Sequence, residues 1–127
     1  MTYRIYISGP MTGLPDYNRP AFAVAALHLL QAGYDVKNPA AQPEVFGWTT
    51  AGYLIERDLP MLRRCHGVAL LPGWQKSLGA RTEIELARDL GMYCCAAQFW
   101  LNMPGRDDFA PCMEYQVHRV EKVQRGE

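Results

Sequence analysis

Gly67-Val68-Ala69-Leu70-Leu71 carries no polar side chain and is closed by Pro72-Gly73. An unbroken apolar run of strand length, with no alternation, suits a strand buried on both faces. It therefore predicts a central strand of a parallel sheet with helices on both sides. On its N-terminal side, Tyr3 to Ser8 is rich in aromatic and β-branched residues and alternates, which predicts a first strand. Gly9-Pro10-Met11-Thr12-Gly13-Leu14-Pro15 breaks it into a loop. Asn18 is placed to cap a helix with Pro20 in its first turn, running to about Ala32 and stopped by Gly33. Phe22, Ala25, Ala26, Leu29 and Leu30 recur at helical spacing and are expected to face the sheet. Tyr34 to Lys37 predicts a short second strand, ended by Asn38-Pro39, with a loop from Ala40 to Thr49.

Thr49 or Thr50 caps a second predicted helix through about Arg64, with Leu54, Leu59 and Leu62 on its apolar face. Pro60 is expected to weaken or kink it. C-terminal to the central strand, Ser77 precedes a third helix over about Leu78 to Leu90, stopped by Gly91. Met92 to Ala97 predicts a fourth strand. Residues 98 to 110 read as mostly loop, and Pro111 to about Gln124 as a final helix. The alternating order predicts one α/β domain over residues 1–127, with right-handed crossovers and helices on both faces. Ligands in such sheets sit at the carboxyl ends of the strands, where loops 9–17, 38–49 and 72–78 emerge.

Composition narrows the function classes. The chain has 127 residues, with 13 Lys+Arg against 13 Asp+Glu, 49% hydrophobic and 20% charged. That is enough for one core and is typical of a soluble globular protein. A balanced charge argues against a nucleic-acid polymer as partner, because phosphate binding needs surplus cations. No apolar run is long enough to span a membrane, and Met1 to Ile5 lacks the apolar core of a signal peptide. A cytoplasmic protein with no membrane partner is expected. Cys65, Cys94, Cys95 and Cys112 form no CxxC pair and no histidine pair has metal-ligand spacing. Reduced, mostly buried thiols and no metal site are expected. Phe99, Trp100, Leu101 and Met103 form apolar surface that one core would not cover, which predicts a homo-oligomer.

Four features could carry chemistry, and each has a plain structural alternative. In Tyr6-Ile7-Ser8-Gly9-Pro10-Met11, a glycine after a strand lets backbone approach a ligand, with Ser8, Gly9 and Met11 beside it; equally, it is a tight turn. It is neither a GxGxxG fingerprint nor a phosphate loop. Ser77-Leu78-Gly79-Ala80-Arg81-Thr82-Glu83 opens a helix whose N-terminus favours an anion, and that dipole would favour an ionised Glu83. Its alternative is a Ser77 cap with a surface glutamate. Asp58 could point toward the strand ends or be a solvated charge. Trp48 and Trp74 could stack on a base or cap the sheet's end. A proton-transfer role for His66 is conceivable.

Taken together and in order, Tyr6-Ile7-Ser8-Gly9-Pro10, Asp58-Leu59 and Ser77-Leu78-Gly79 with Glu83 resemble the nucleoside 2-deoxyribosyltransferase superfamily. That superfamily includes a 2'-deoxynucleoside 5'-monophosphate N-glycosidase branch. The resemblance spans roughly residues 3–97 and is nearest a small bacterial and phage branch marked by Leu71-Pro72-Gly73-Trp74 before Ser77-Leu78-Gly79-Ala80. It implies a flavodoxin-like (Rossmann-like) fold with a sheet of four to five strands, order 2-1-3-4(-5), and homo-oligomers (dimers or tetramers) that share sites between subunits. By position, Glu83 matches the nucleophile, Tyr6 the tyrosine that orients it and Asp58 an acid/base or sugar-contacting aspartate. Ser77 and Gly79 match the segment that meets phosphate or sugar. The implied partner is a small-molecule nucleoside or nucleotide, with no cofactor. Family members usually carry Asp just before the third strand, where this chain has Cys65-His66. The competing expectation is a non-catalytic nucleotide-binding or interaction module on the same fold. A solvent-facing Glu83 would favour that module, and a shared cavity with Tyr6 and Asp58 the enzyme.

Overall fold

A computed structural model of the chain describes residues 2–102. Four strands form a parallel sheet in the order β2-β1-β3-β4: β1 (Arg4–Ser8), β2 (Asp35–Lys37), β3 (Gly67–Leu70) and β4 (Tyr93–Ala96). The register sets Tyr6 opposite Val68 and Ser8 opposite Leu70, with Val68 in turn opposite Cys94. This is the predicted flavodoxin-like order, with four strands among the described residues. β3 is buried along its whole length, as its sequence requires.

Alternation along the strands divides the core in two. Ile5, Ile7, Ala69, Leu71 and Cys95 pack on one face with Phe22, Ala25 and Leu29 of α1 (Arg19–Gln31). Tyr6, Val68, Leu70 and Cys94 pack on the other with Leu62 and with Ala80, Ile84 and Ala87 of α4. α4 spans Leu78–Asp89, and Leu62 lies on α3 (Leu59–Leu62). The predicted second helix is α2 (Thr50–Tyr53), a π turn (Leu54–Asp58) and α3 in succession. Thr49 caps α2, its Oγ1 accepting from the Gly52 N–H at 3.1 Å. The Leu59 N–H reaches back five residues to the Leu54 carbonyl. Pro60 follows immediately, has no N–H to give and crowds the carbonyl four residues before it, so the widened turn sits where the sequence expects a kink.

Four expectations need correction. Leu30 does not face the sheet with Leu29: it is 54% exposed. Asn18 does not cap α1 with its side chain; its Nδ2 donates to the Pro10 carbonyl at 2.9 Å and closes the preceding loop instead. Residues 98–102 are not loop, nor is Ala97 in the fourth strand: both belong to α5 (Ala97–Asn102), which begins directly after β4. Nor is Trp100 an interface residue on an exposed surface: it is 0% exposed, and Phe99 and Leu101 pack partly buried against the α1 face of the sheet. The indole Nε1 donates to the Val68 carbonyl at 2.9 Å, and the Trp100 carbonyl accepts from Tyr34 Oη at 2.7 Å. Gly67 makes room for the ring, since a Cβ there would lie 2.6 Å from two indole carbons. Met103, Cys112 and the expected helix over 111–124 lie outside the described residues.

Cys65 and Cys94 are free and buried, and burial pushes their thiols up to about 11 and about 12 respectively. Neither is a thiolate at neutral pH. Cys95 departs from the expected reduced state: it is disulfide-bonded. It points to the face opposite Cys94, as neighbours in a strand must, so the two cannot pair with each other. Among the described residues no cluster of His, Cys, Asp and Glu could hold a metal ion, and no helix is long and apolar enough to cross a membrane.

Candidate active site

The residues with unusual chemistry meet at the carboxyl end of β1. Tyr6 and Ser8 are two positions apart and so lie on one face of the strand, the face that α4 covers. Glu83 is six residues after Ser77, the α4 cap whose Oγ accepts from the Ala80 N–H at 3.2 Å. From there its side chain turns inward, and the residue is only 6% exposed. Tyr6 Oη donates to Glu83 Oε2, and Ser8 Oγ donates to Glu83 Oε1 at 2.8 Å. Each carboxylate oxygen therefore has its own buried hydroxyl donor.

The π turn supplies the second acid. Asp58 Oδ1 is 2.6 Å from Arg57 Nε, with the two side chains 13% and 20% exposed. The Arg57 guanidinium stacks over the Tyr53 ring, 4.8 Å from its centroid. Tyr53 Oη in turn ties down loop 38–49, accepting from the Val45 N–H at 2.8 Å and donating to the Val45 carbonyl at 3.1 Å. Burial pushes the Asp58 carboxyl above its usual range, while the Arg57 hydrogen bond and charge oppose that rise. The Asp58 charge is felt by both Tyr6 and Glu83.

Burial dominates at Glu83 and pushes its carboxyl up to about 7. The Tyr6 and Ser8 hydrogen bonds and the Arg57 charge pull it down, and the Asp58 charge pushes it further up. Loss of water thus works against the ionised form that the start of α4, six residues away, would favour. Tyr6 is held well above its ordinary value by burial, then by the Glu83 and Asp58 charges, so it remains a donor. Glu85 is exposed on the outer side of α4, as two residues around a helix requires.

The other candidates fall into distinct places. Trp74 is not an exposed stacking platform; it is buried in the core beside Tyr6 and Leu70, capping the sheet's end. Trp48 is half-exposed and packs edge-on against Tyr53 with centroids 5.3 Å apart, at the rim. Gly9 is required by packing, since a Cβ there would lie 2.7 Å from Leu71 Cβ. Met11 packs partly buried against the α1 face of the core. Gly79 stands in the first turn of α4, just beyond the capping Ser77. His66 is remote from Glu83: it precedes β3, at the amino end of the sheet, where its Nδ1 accepts from the Arg4 N–H at 2.8 Å. Cys65 is beside it, with Sγ 3.5 Å from the Met61 carbonyl. The Cys65-His66 pair is therefore at the opposite end of the sheet from the carboxylates.

Sequence reasoning missed Arg57 as the partner of Asp58, and missed that the Ser8 hydroxyl is directed at Glu83. The period of two along β1 was the available signal for Ser8.

Residues 3–95 match the family described as Domain of unknown function (DUF4406). The chain belongs to the DUF4406 family. No curated protein and no solved structure matches it. The match spans Tyr6, Ser8, Asp58 and Glu83, so the whole carboxylate cluster lies within the DUF4406 region.

Proposed function

We propose that this chain cleaves the N-glycosidic bond of a deoxynucleoside or deoxynucleoside 5'-monophosphate, releasing the base to water or passing the 2-deoxyribosyl group to a second base. The reading rests on the resemblance of its motifs to the nucleoside 2-deoxyribosyltransferase superfamily. The observation that carries it is the buried Glu83 carboxylate held by Tyr6 and Ser8 where β1 ends. A glutamate that merely decorated a helix start would face solvent, which is what a binding module without catalysis would allow. Burial with two donors fixes a carboxylate in orientation and keeps it dry, as an attacking group requires.

In the proposed reaction the ionised Glu83 bonds to the anomeric carbon as the carbon–nitrogen bond breaks through an oxocarbenium-like state. The departing base takes its electron pair and a proton, and Asp58 is the group assigned to hand that proton over. Water then attacks the same carbon, gives a proton back to Asp58 and frees Glu83. The sum is a glycoside plus water giving free base plus the deoxyribose product. Tyr6 donates to Glu83 throughout and withholds its own proton, because its hydroxyl is held so far above neutrality.

The test is incubation with a panel of deoxynucleosides and their 5'-monophosphates, scoring free base by chromatography. Base release from at least one member, absent in Glu83→Ala and retained in Glu85→Ala, is the expected result. No release across the panel, beside measurable nucleotide binding, would overturn the catalytic reading in favour of a binding module. Because the nucleophile must be ionised, kcat/KM should climb with pH through a midpoint near the Glu83 value of about 7. A rate flat from pH 5 to 9 would remove Glu83 from the role.

A further inference from the structure

We propose that Ser8 is a positioning residue for Glu83: by donating to Oε1 while Tyr6 donates to Oε2, it locks the carboxylate in the orientation and charge state needed for attack. The inference rests on the catalytic reading above and deepens it, separating the share of the hold on Glu83 that belongs to Ser8 from that of Tyr6. Ser8 ends β1, is fully buried, and has its Oγ 2.8 Å from Glu83 Oε1. One donor would leave the carboxyl group free to swing about the bond to its side chain. Two donors on different oxygens fix that rotation, and both hydrogen bonds favour the ionised form.

The groups acting on Glu83 come from two neighbouring elements. β1 presents Tyr6 and Ser8, and the π turn presents Asp58 and Arg57. Asp58 opposes ionisation of Glu83, and Arg57 favours it while paired with Asp58. Around them, β3 contributes apolar Val68 and Leu70 to the same face. Ser8 and Tyr6 are thus the two uncharged groups that hold the carboxylate directly. A fully buried hydroxyl also needs a partner for its own sake.

The experiment reads Glu83 directly, by carbon-13 NMR of its side-chain carboxyl across pH, in the wild type and in Ser8→Ala and Ser8→Thr. The Ser8→Ala midpoint should rise by about one pH unit, and the acid limb of the kcat/KM profile should move with it. Ser8→Thr, which keeps the hydroxyl, should return both toward wild type. An unmoved midpoint in Ser8→Ala overturns the proposal whatever happens to the melting temperature. Should Ser8→Ala not fold, Ser8→Cys retains the size with a weaker donor, and its midpoint must likewise rise or the proposal fails. The titration needs no substrate. An inactive wild type with a midpoint that moves in Ser8→Ala defeats the catalytic reading and leaves the hold on Glu83 standing. An active wild type with an unmoved midpoint defeats only Ser8's role.

Discussion

Glu83→Gln is expected to lower base release by at least about 10³-fold and, at pH 8, to make the protein more stable than the wild type. The first effect follows from the chemistry: an amide cannot form the glycosyl bond, and a nucleophile makes its contribution in the transition state. The second follows from burial. The folded protein pushes Glu83 from an ordinary 4.5 up to about 7, so it binds that proton more tightly than the unfolded chain does. The stability this provides is fully present below pH 4.5 and is lost as the pH rises through about 7. Gln is neutral at every pH and close to isosteric, so the gap between variant and wild type should open across that window to about 3 kcal/mol. Denaturant unfolding of both proteins at pH 4, 6 and 8 measures it. A constant gap would mean that Glu83 is not strained by burial. Glu83→Ala should behave differently, losing about 1–3 kcal/mol at low pH because two buried hydroxyls lose their acceptor.

Trp100→Ala should destabilise the fold by about 3–5 kcal/mol, the largest loss expected from any side chain of α5. The ring is fully buried over Gly67, and its Nε1 donates to the Val68 carbonyl at 2.9 Å. Truncation therefore opens a cavity against the central strand and leaves a buried carbonyl without that donor. Thermal or denaturant unfolding at fixed protein concentration checks the size of the loss. A Trp100 at a subunit interface would instead give a variant of nearly unchanged monomer stability and altered sedimentation, the outcome that would overturn its place in the core.

Much of the architecture was legible because local chemistry and global fold agree. Gly67 to Leu71 has no polar face and so predicts its place at the centre of the sheet. Gly33, Gly73 and Gly91 mark breaks between elements, and all three adopt positive φ. α5 was illegible because Ala97 to Asn102 has neither cap nor periodic length; its stability comes from docking Trp100, a tertiary effect. The π turn was foreshadowed by Pro60, but not its consequence, the alignment of Arg57 with Asp58.

The candidate site divides in the same way. From the sequence alone came the alternation that puts Tyr6 and Ser8 on one face, the Ser77 cap and the sheet edge where loops gather. All of these are set by residues within a few positions of one another. Only the tertiary structure decided that Glu83 turns inward, that the Ser8 hydroxyl donates to Glu83, that Trp74 is core, and that Cys65-His66 lies at the far end of the sheet. Tyr6 and Glu83 are 77 residues apart in the chain. Whether they meet depends on how α4 packs across β1 and β3, and that packing sets the burial that brings an ordinary carboxylate close to neutrality.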